Sequence, residues 1–360
     1  MSKKGYLVLE TGEIFEGLWN SSDSTKDVLP RVGEVVFNTS HAGYQEIASD
    51  PSYYSQIMVM TASMQGNYGL RENDFESKRY WIEGFVCTEM TKGPWQEALL
   101  KSQVPILSEV DTRNLTLRLR EKGTPWGALL SASSREAAQQ LAPTLIAEQK
   151  KNRQHKDWTL EVSARQPQLV KGMKMHGARV ALVDFGVKES ILHCLLERCA
   201  EVQIFPSTSK VESIKDWSPD GVLLSNGPGN PDDVKEGSVL VSQLVGWRPL
   251  FGICMGHQVL SRVLGAKTFA MKFGHHGGNH PIRDDLLQKV YITSQNHGYA
   301  VDPTSLSAGT YVTHVNLYDG TLEGLENKEK KCWSVQFHPE SAPGPNEARL
   351  LFDRFIEGLR

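Results

Sequence analysis

The chain has 360 residues, of which 39% are hydrophobic and 22% charged, and its formal net charge is −3. That length suits two domains, each with its own core, and the composition is that of an ordinary water-soluble globular protein. The charge gives no electrostatic reason to expect nucleic acid or an anionic membrane as partner. No apolar run is long enough to span a bilayer, and the opening Met1-Ser2-Lys3-Lys4-Gly5 lacks the apolar core of a signal segment. Cys87, Cys194, Cys199, Cys254 and Cys332 form no Cys-x-x-Cys pair and no metal-like spacing. Reduced thiols and a cytoplasmic location are expected.

In chain order, Tyr6–Glu10 and Glu13–Gly17 flank Thr11-Gly12 as a hairpin, and Val35–Phe37 and Gln56–Met60 read as further strands. Leu115, Leu117 and Leu119 sit in a charged segment that opens at Asp111-Thr112, a helix cap. The sequence turns polar over 131–177, most strongly at Glu148–Lys156. A linker over about 150–177 is expected to separate an N-terminal domain, 1–150, from a second one, 178–360. There the reading is sharper. Ala178–Asp184, Val202–Phe205, Gly221–Leu224 and Leu250–Ile253 are apolar strands, alternating with helices at Glu189–Cys199 and near Ser238–Val245. Such alternation predicts an α/β fold with a doubly wound, mostly parallel sheet and its site at the carboxyl ends of the strands.

Cys254 occupies such an end. Leu250-Phe251-Gly252-Ile253 runs into Cys254-Met255-Gly256-His257-Gln258, and the helix-patterned Val259, Leu260, Val263 and Leu264 follow. A glycine-flanked turn from strand to helix presents the thiol without steric clash, at a helix N-terminus that favours thiolate. Downstream, the alternating Trp333–Phe337 ends in His338-Pro339-Glu340, a candidate base with a carboxylate to orient it. Taken singly, Cys254 reads equally well as a small core residue, and His338 reads better as a strand-end histidine bonded to backbone. The combination favours chemistry.

Gly252-Ile253-Cys254-Met255-Gly256-His257-Gln258 with His338-Pro339-Glu340 resembles the signature of class I (triad) glutamine amidotransferases, and within them the small, glutaminase subunit of carbamoyl-phosphate synthase. The resemblance extends through Gly33–Ser40, Gly43–Glu46, Asp50–Tyr53, Asp111–Arg113, Leu119–Gly123, Ser225–Pro231, Gly274–Pro281, Gln295–Gly298, Asp319–Leu322 and Pro343–Pro345. The N-terminal motifs make it specific, because other triad amidotransferases lack that domain. It implies a swivelling mixed β/α domain at the N-terminus and a Cys254–His338–Glu340 triad. It also implies oxyanion donors at Met255 and the Gly227-Pro228-Gly229 turn, although the residues alone read that turn as a plain strand-ending loop. Ser40, Gln258, Asn296, Gly298 and Tyr299, with Gly227 and Gly229, would recognise glutamine, Ser40 reaching in from the other domain.

No Gly-x-x-x-x-Gly-Lys loop and no strand-following Gly-x-Gly-x-x-Gly occurs, so no nucleotide site or cofactor is expected on this chain. The resemblance places ATP and Mg on a separate large subunit that receives ammonia through a tunnel, which implies a hetero-oligomer. His275, His276 and His280 read as loop or interface residues in a Gly-rich loop rather than metal ligands. Asp184-x-Gly186-x-Lys188 reads as a strand end leading into a helix, and the tryptophans as packing. Two alternatives stay open: a glutaminase serving another pathway, and a non-catalytic scaffold that activates the large subunit while external ammonia is used.

Overall fold

The computed structural model describes residues 3–20 and 29–359, so Met1 and Ser2 of the opening segment lie outside the described residues. The chain forms two compact units, Met1–Lys156 with Lys272–His276, and Asp157–Met271 with Gly277–Arg360.

The first unit is built on a closed barrel. Strands β1 (Lys3–Leu9), β2 (Ile14–Asn20), β3 (Arg31–Asn38) and β4 (Gln56–Met60) come first. A two-residue strand β5 (Met64–Gln65), then β6 (Gly84–Val86), β7 (Glu89–Met90), β8 (Ile106–Ser108) and β9 (Trp126–Ser131) follow. The barrel order is β1-β2-β8-β6-β4-β3-β9, and β5 pairs separately with β7. β1 and β2 form the expected hairpin, with Val8 opposite Ile14. Period-2 alternation splits the strands between two cores. Val35, Phe37, Ile57 and Val59 pack with Leu115 and Leu119, which belong to α3 (Thr112–Lys122). Val36, Met58 and Met60 pack with Tyr44 and Ile47 of α1 (Tyr44–Ser49) and with Trp95 and Leu99 of α2 (Pro94–Lys101). The Asp111 side chain caps α3 by accepting from the Asn114 amide, and Leu117 points to solvent.

The linker expected at about 150–177 starts inside a helix and is not a run of solvated chain. Residues Arg135–Arg153 form the 19-residue helix α4, capped by Ser134. It packs on β9, β3 and β1 and buries Ala138, Ala142 and Ile146. Its last turns look hydrophilic because Lys150 and Arg153 reach acids of the same unit. Lys150 Nζ lies 2.7 Å from Glu10 Oε2, and Arg153 Nη1 lies 2.5 Å from Glu83 Oε1. Further on, α5 (Thr159–Val162) and β10 (Gln168–Lys171) are also ordered, and β10 pairs antiparallel with a strand of the second unit's sheet.

That second unit has a ten-stranded sheet. Strands β11 (Arg179–Asp184), β12 (Glu201–Pro206), β13 (Gly221–Leu224), β14 (Leu250–Ile253) and β19 (Cys332–Val335) run parallel. Beside them stand β15 (Thr268–Asp284), β16 (Lys289–Val301), β17 (Tyr311–Asn316) and β18 (Leu322–Asn327), in the order β10-β12-β11-β13-β14-β19-β18-β16-β15-β17. β18 pairs antiparallel with β19 and β17 with β18, so with β10 half the sheet departs from the expected mostly parallel pattern. His275, His276 and His280, expected in a loop, lie within β15.

Helices α6 (Glu189–Leu196), α7 (Val211–Trp217), α8 (Lys235–Leu244), α9 (Met255–Val263) and α10 (Leu350–Glu357) cover both faces. Val180 and Leu182 of β11 pack with Ile191, Leu195, Phe352 and Phe355 on one side. Ala181 and Val183 pack with Ile214, Leu240, Leu244 and Leu260 on the other. Burial on both faces is why these strands read as unbroken apolar runs. Because Ile146 is 4% exposed in a helix that reads as polar, Ile146→Ala is expected to lower unfolding free energy by about 2–4 kcal/mol in urea titration. An unchanged midpoint would mean that α4 does not pack.

Candidate active site

The site is built from the segments that follow the carboxyl ends of β11, β13, β14 and β19, with β16 beside them. Cys254 is the N-cap of α9, at φ 52° and ψ −104°. A non-glycine residue there carries backbone strain of about 1–3 kcal/mol, held in place by its surroundings. The Cys254 amide donates to Val335 O at 2.9 Å, and the Gly256 amide to Ser225 O at 2.9 Å. A Cβ at Gly256 would stand 2.4 Å from Leu224 O, so the helix start sits hard against the end of β13. The turn thus needs small residues on both sides of a strained cysteine. The amide of Met255 lies in the first turn of α9, where helical amides lack intrahelical partners and can meet an anion.

β13 leads into Ser225-Asn226-Gly227-Pro228-Gly229, and the Gly256–Ser225 bond ties this loop to the cysteine turn. A Cβ at Gly227 would stand 2.3 Å from Phe185 O, and Gly229 has φ +91°. Both positions therefore require glycine for backbone reasons.

His338 and Glu340 follow β19. The His338 amide donates to Ser294 O at 2.9 Å, and its Nδ1 lies 2.6 Å from Glu340 Oε1. His338 is 2% exposed and Glu340 is fully buried. Burial alone would lower the imidazole, but the Glu340 carboxylate and then the Cys254 sulfur outweigh it, so His338 is held well above the ordinary histidine value. Its Nε2 makes no hydrogen bond of ordinary geometry; the sulfur acts on the ring as a neighbouring charge and side-chain partner.

Lys188, read from the sequence as no more than part of a strand end leading into a helix, belongs to this cluster. It is 2% exposed, and its Nζ donates to Glu340 Oε1 at 3.0 Å and to Ser341 O at 2.6 Å. Burial alone would raise the Glu340 carboxyl; Lys188 and then His338 hold it well below the ordinary range. The Lys188 amide also donates to Asn226 Oδ1 at 3.1 Å, which links this cation to the glycine loop. The one available signal was a lysine two residues beyond Gly186 at a strand's carboxyl end, a place where ligands bind.

The sulfur of Cys254 lies 3.6 Å from Asn296 O. Gln258 donates from Nε2 to Tyr299 O at 3.0 Å, which joins α9 to β16 at two of the expected glutamine-recognition residues. Gly298 lies between Asn296 and Tyr299 on β16. Ser40 belongs to the first unit, after β3, with its amide donating to Asn38 Oδ1 at 2.8 Å. Burial pushes the thiols of Cys87, Cys194, Cys199 and Cys332 up, which keeps them protonated and unreactive. His257, three residues past Cys254, is pushed down to about 3 by burial and then by His314, so it stays neutral. Its Nδ1 faces Ser334 Oγ at 2.8 Å. The arrangement is a thiol on a strained turn, an imidazole charged by a carboxylate, and a cation that keeps the carboxylate ionised.

Family models agree with this geometry. Residues 181–358 match glutamine amidotransferase class-I, and residues 7–129 match the carbamoyl-phosphate synthase small chain, CPSase domain. A carbamoyl phosphate synthase pyrimidine-specific small chain from Halalkalibacterium halodurans is 44% identical, covering 98% of this chain and 96% of its own. A carbamoyl phosphate synthase small chain from Methanococcus maripaludis is 42% identical with the same coverage, and one from Caldanaerobacter subterraneus is 40% identical. Among solved structures, a glutamine amidotransferase from Thermotoga maritima has a TM-score of 0.37 and 18% identity, covering 46% of this chain and 77% of that one. With relatives at 40–44% identity along almost its whole length, the chain belongs to the carbamoyl-phosphate synthase small chain family and carries a class I glutamine amidotransferase domain.

Proposed function

We propose that this chain is the glutaminase subunit of a carbamoyl-phosphate synthase, hydrolysing L-glutamine to glutamate and ammonia and passing the ammonia to a large subunit. The observation that carries the reading is the 2.6 Å contact of His338 Nδ1 with Glu340 Oε1, beside a strained cysteine elbow, in a chain 44% identical to a carbamoyl phosphate synthase small chain.

In this mechanism the Cys254 thiolate adds to the side-chain amide carbon of glutamine, and the carbonyl π pair moves onto oxygen. The Met255 amide and the backbone of Gly227–Gly229 receive that oxyanion; a single such donor is worth about 10²- to 10³-fold in rate. His338 protonates the departing ammonia, leaving a γ-glutamyl thioester. The now neutral imidazole takes a proton from water, which attacks the thioester and releases glutamate and the thiolate. Glu340 keeps the imidazolium oriented and favourable, and Lys188 keeps Glu340 ionised. Gln258, Asn296, Gly298 and Tyr299 hold the amino-acid end of glutamine.

ATP, Mg and bicarbonate enter on the large subunit in this reading, with no cofactor on this chain, and the assembly is a cytoplasmic hetero-oligomer. The closed β-barrel of the first unit supports its assignment to the swivelling β/α class. A purely activating scaffold would not need the Cys254–His338–Glu340 arrangement. A glutaminase of another pathway would not need the segment at 7–129 that matches the small-chain domain.

With a synthase large subunit present, Cys254→Ser is expected to abolish glutamine-dependent carbamoyl phosphate synthesis while leaving ammonia-dependent synthesis intact; glutamine use that survives the change refutes the assignment. The pH profile carries a second expectation. The anion at Glu340 raises His338, so in Glu340→Gln burial dominates and the imidazolium is lost at lower pH. The alkaline limb of glutamine hydrolysis should therefore move down, with kcat reduced by about 10²-fold or more. Lys188 lowers Glu340, so in Lys188→Met the carboxylate protonates sooner and the acid limb should move up. Initial rates between about pH 5 and 10 test both directions.

A further inference from the structure

Behind the strand that carries Asn296 and Tyr299 runs a circuit of buried hydrogen bonds that begins and ends at residue 323. Glu323 of β18 is fully buried. Its Oε2 accepts from Gln295 Nε2 at 3.0 Å and its Oε1 from Asn316 Nδ2 at 3.0 Å. A carboxylate can only accept, so it fixes which way the Gln295 amide points. The amide oxygen of Gln295 therefore faces His297 Nε2, at 2.9 Å. The other ring nitrogen, Nδ1, faces Tyr299 O at 2.7 Å. Tyr299 O also accepts from Gln258 Nε2. Gln258 Nε2 donates as well to Gln336 Oε1 at 3.1 Å, and the backbone N–H of Gln336 donates to Glu323 O at 2.8 Å.

Two consequences follow from the donor and acceptor inventory. His297 meets an acceptor at each ring nitrogen, so the ring donates from both and carries a positive charge, with Glu323 Oε1 4.0 Å from Nε2 as its counter-charge. A neutral ring would set a lone pair against an oxygen in a buried site, which costs the full desolvation of that pair. The circuit also spans α9, four residues past the nucleophile, and the stretch of β16 whose Asn296 carbonyl reaches Cys254 Sγ.

We propose that Glu323 is a positioning residue for glutamine recognition. It orients Gln295, charges His297, and through that ring sets the Tyr299 carbonyl and Gln258 where the substrate is held. This inference rests on the glutaminase reading above. Glu323 touches neither substrate nor nucleophile; it acts through other side chains. Its effect should fall on KM for glutamine rather than on the acyl-transfer step.

The test uses the full chain together with a synthase large subunit, and two variants. In Glu323→Gln the new amide cannot accept from both Gln295 and Asn316. Gln295 must turn over, and His297 loses the acceptor at Nε2 and its second proton. KM for glutamine is expected to rise about tenfold, with kcat within about threefold and ammonia-dependent synthesis unchanged. Nitrogen-15 NMR of the His297 ring should change from two protonated nitrogens to one. The exchange Gln295→Glu with Glu323→Gln restores an acceptor-only group beside His297 and keeps a donor-to-acceptor match at Asn316, so both KM and the two-proton signature should return.

A KM unchanged in Glu323→Gln, or raised and not recovered in the double variant, overturns the proposal, as does a variant that only melts earlier. If Glu323→Gln does not fold, the double variant decides alone: KM within about threefold of native supports the proposal, and a tenfold rise refutes it. Glutamine hydrolysis that persists in Cys254→Ser would defeat the underlying reading instead. The ring-nitrogen spectrum needs no glutamine and judges the link from Glu323 to His297 by itself.

Discussion

A fully buried carboxylate has to be compensated, and Glu340 is the group on which this site depends. An isolated anion with no exposure would cost several kcal/mol to keep ionised and would take up a proton instead. Two cations prevent that. Lys188 approaches from the segment after β11 and His338 from the segment after β19, both onto Oε1. The imidazole is charged because the carboxylate is, and the carboxylate is charged because a lysine at the mouth of another strand is buried with it. Removing any one of the three leaves the others with a charge that their surroundings cannot solvate.

The sheet makes this arrangement possible. Five parallel strands, covered on both faces, deliver their carboxyl ends to one edge of the layer. β14 and β19 pair directly, with Ile253 opposite Val335, so Cys254 and the His338 segment leave adjacent strands. The strain at Cys254 is supported by the same pairing, since its amide is bonded to Val335 O. The antiparallel strands beyond β19 then bring β16 over the cysteine. Buried hydrogen bonds around Glu323 reach the same strand through Gln295, His297 and the Tyr299 carbonyl, and such bonds are stronger in a low dielectric than in water.

Much of this was legible in the residues. The apolar runs of β11, β12, β13 and β14 declared themselves because burial on both faces removes alternation. The elbow at Cys254 was readable because a strained turn leaves glycines at 252 and 256. The hairpin of β1 and β2 and the Asp111 cap are local chemistry, and local chemistry is written in adjacent residues. The segment at 131–156 misled because α4 buries little beyond Ala138, Ala142 and Ile146. Small alanines and salt-bridged lysine and arginine resemble a solvated linker when the acids that pair with them, Glu10 and Glu83, lie far away in sequence.

The histidines of β15 looked like loop residues for a related reason. Glycine clusters signal turns in isolation, and only the neighbouring strands show that the segment is paired. Lys188 read as a plain strand-to-helix residue and Glu323 drew no attention, because their partners, Glu340 and Gln295, are separated from them by long stretches of chain. By itself, then, the order of residues determined the apolar strands β11 to β14, the hairpin of β1 and β2, and the glycine-flanked turn that presents Cys254, since these depend on spacing and turn chemistry. Which charge balances which, and which buried amide orients which ring, was decided only by the tertiary structure. Compensation of buried charge is a matter of distance in space, and no interval along the chain encodes it.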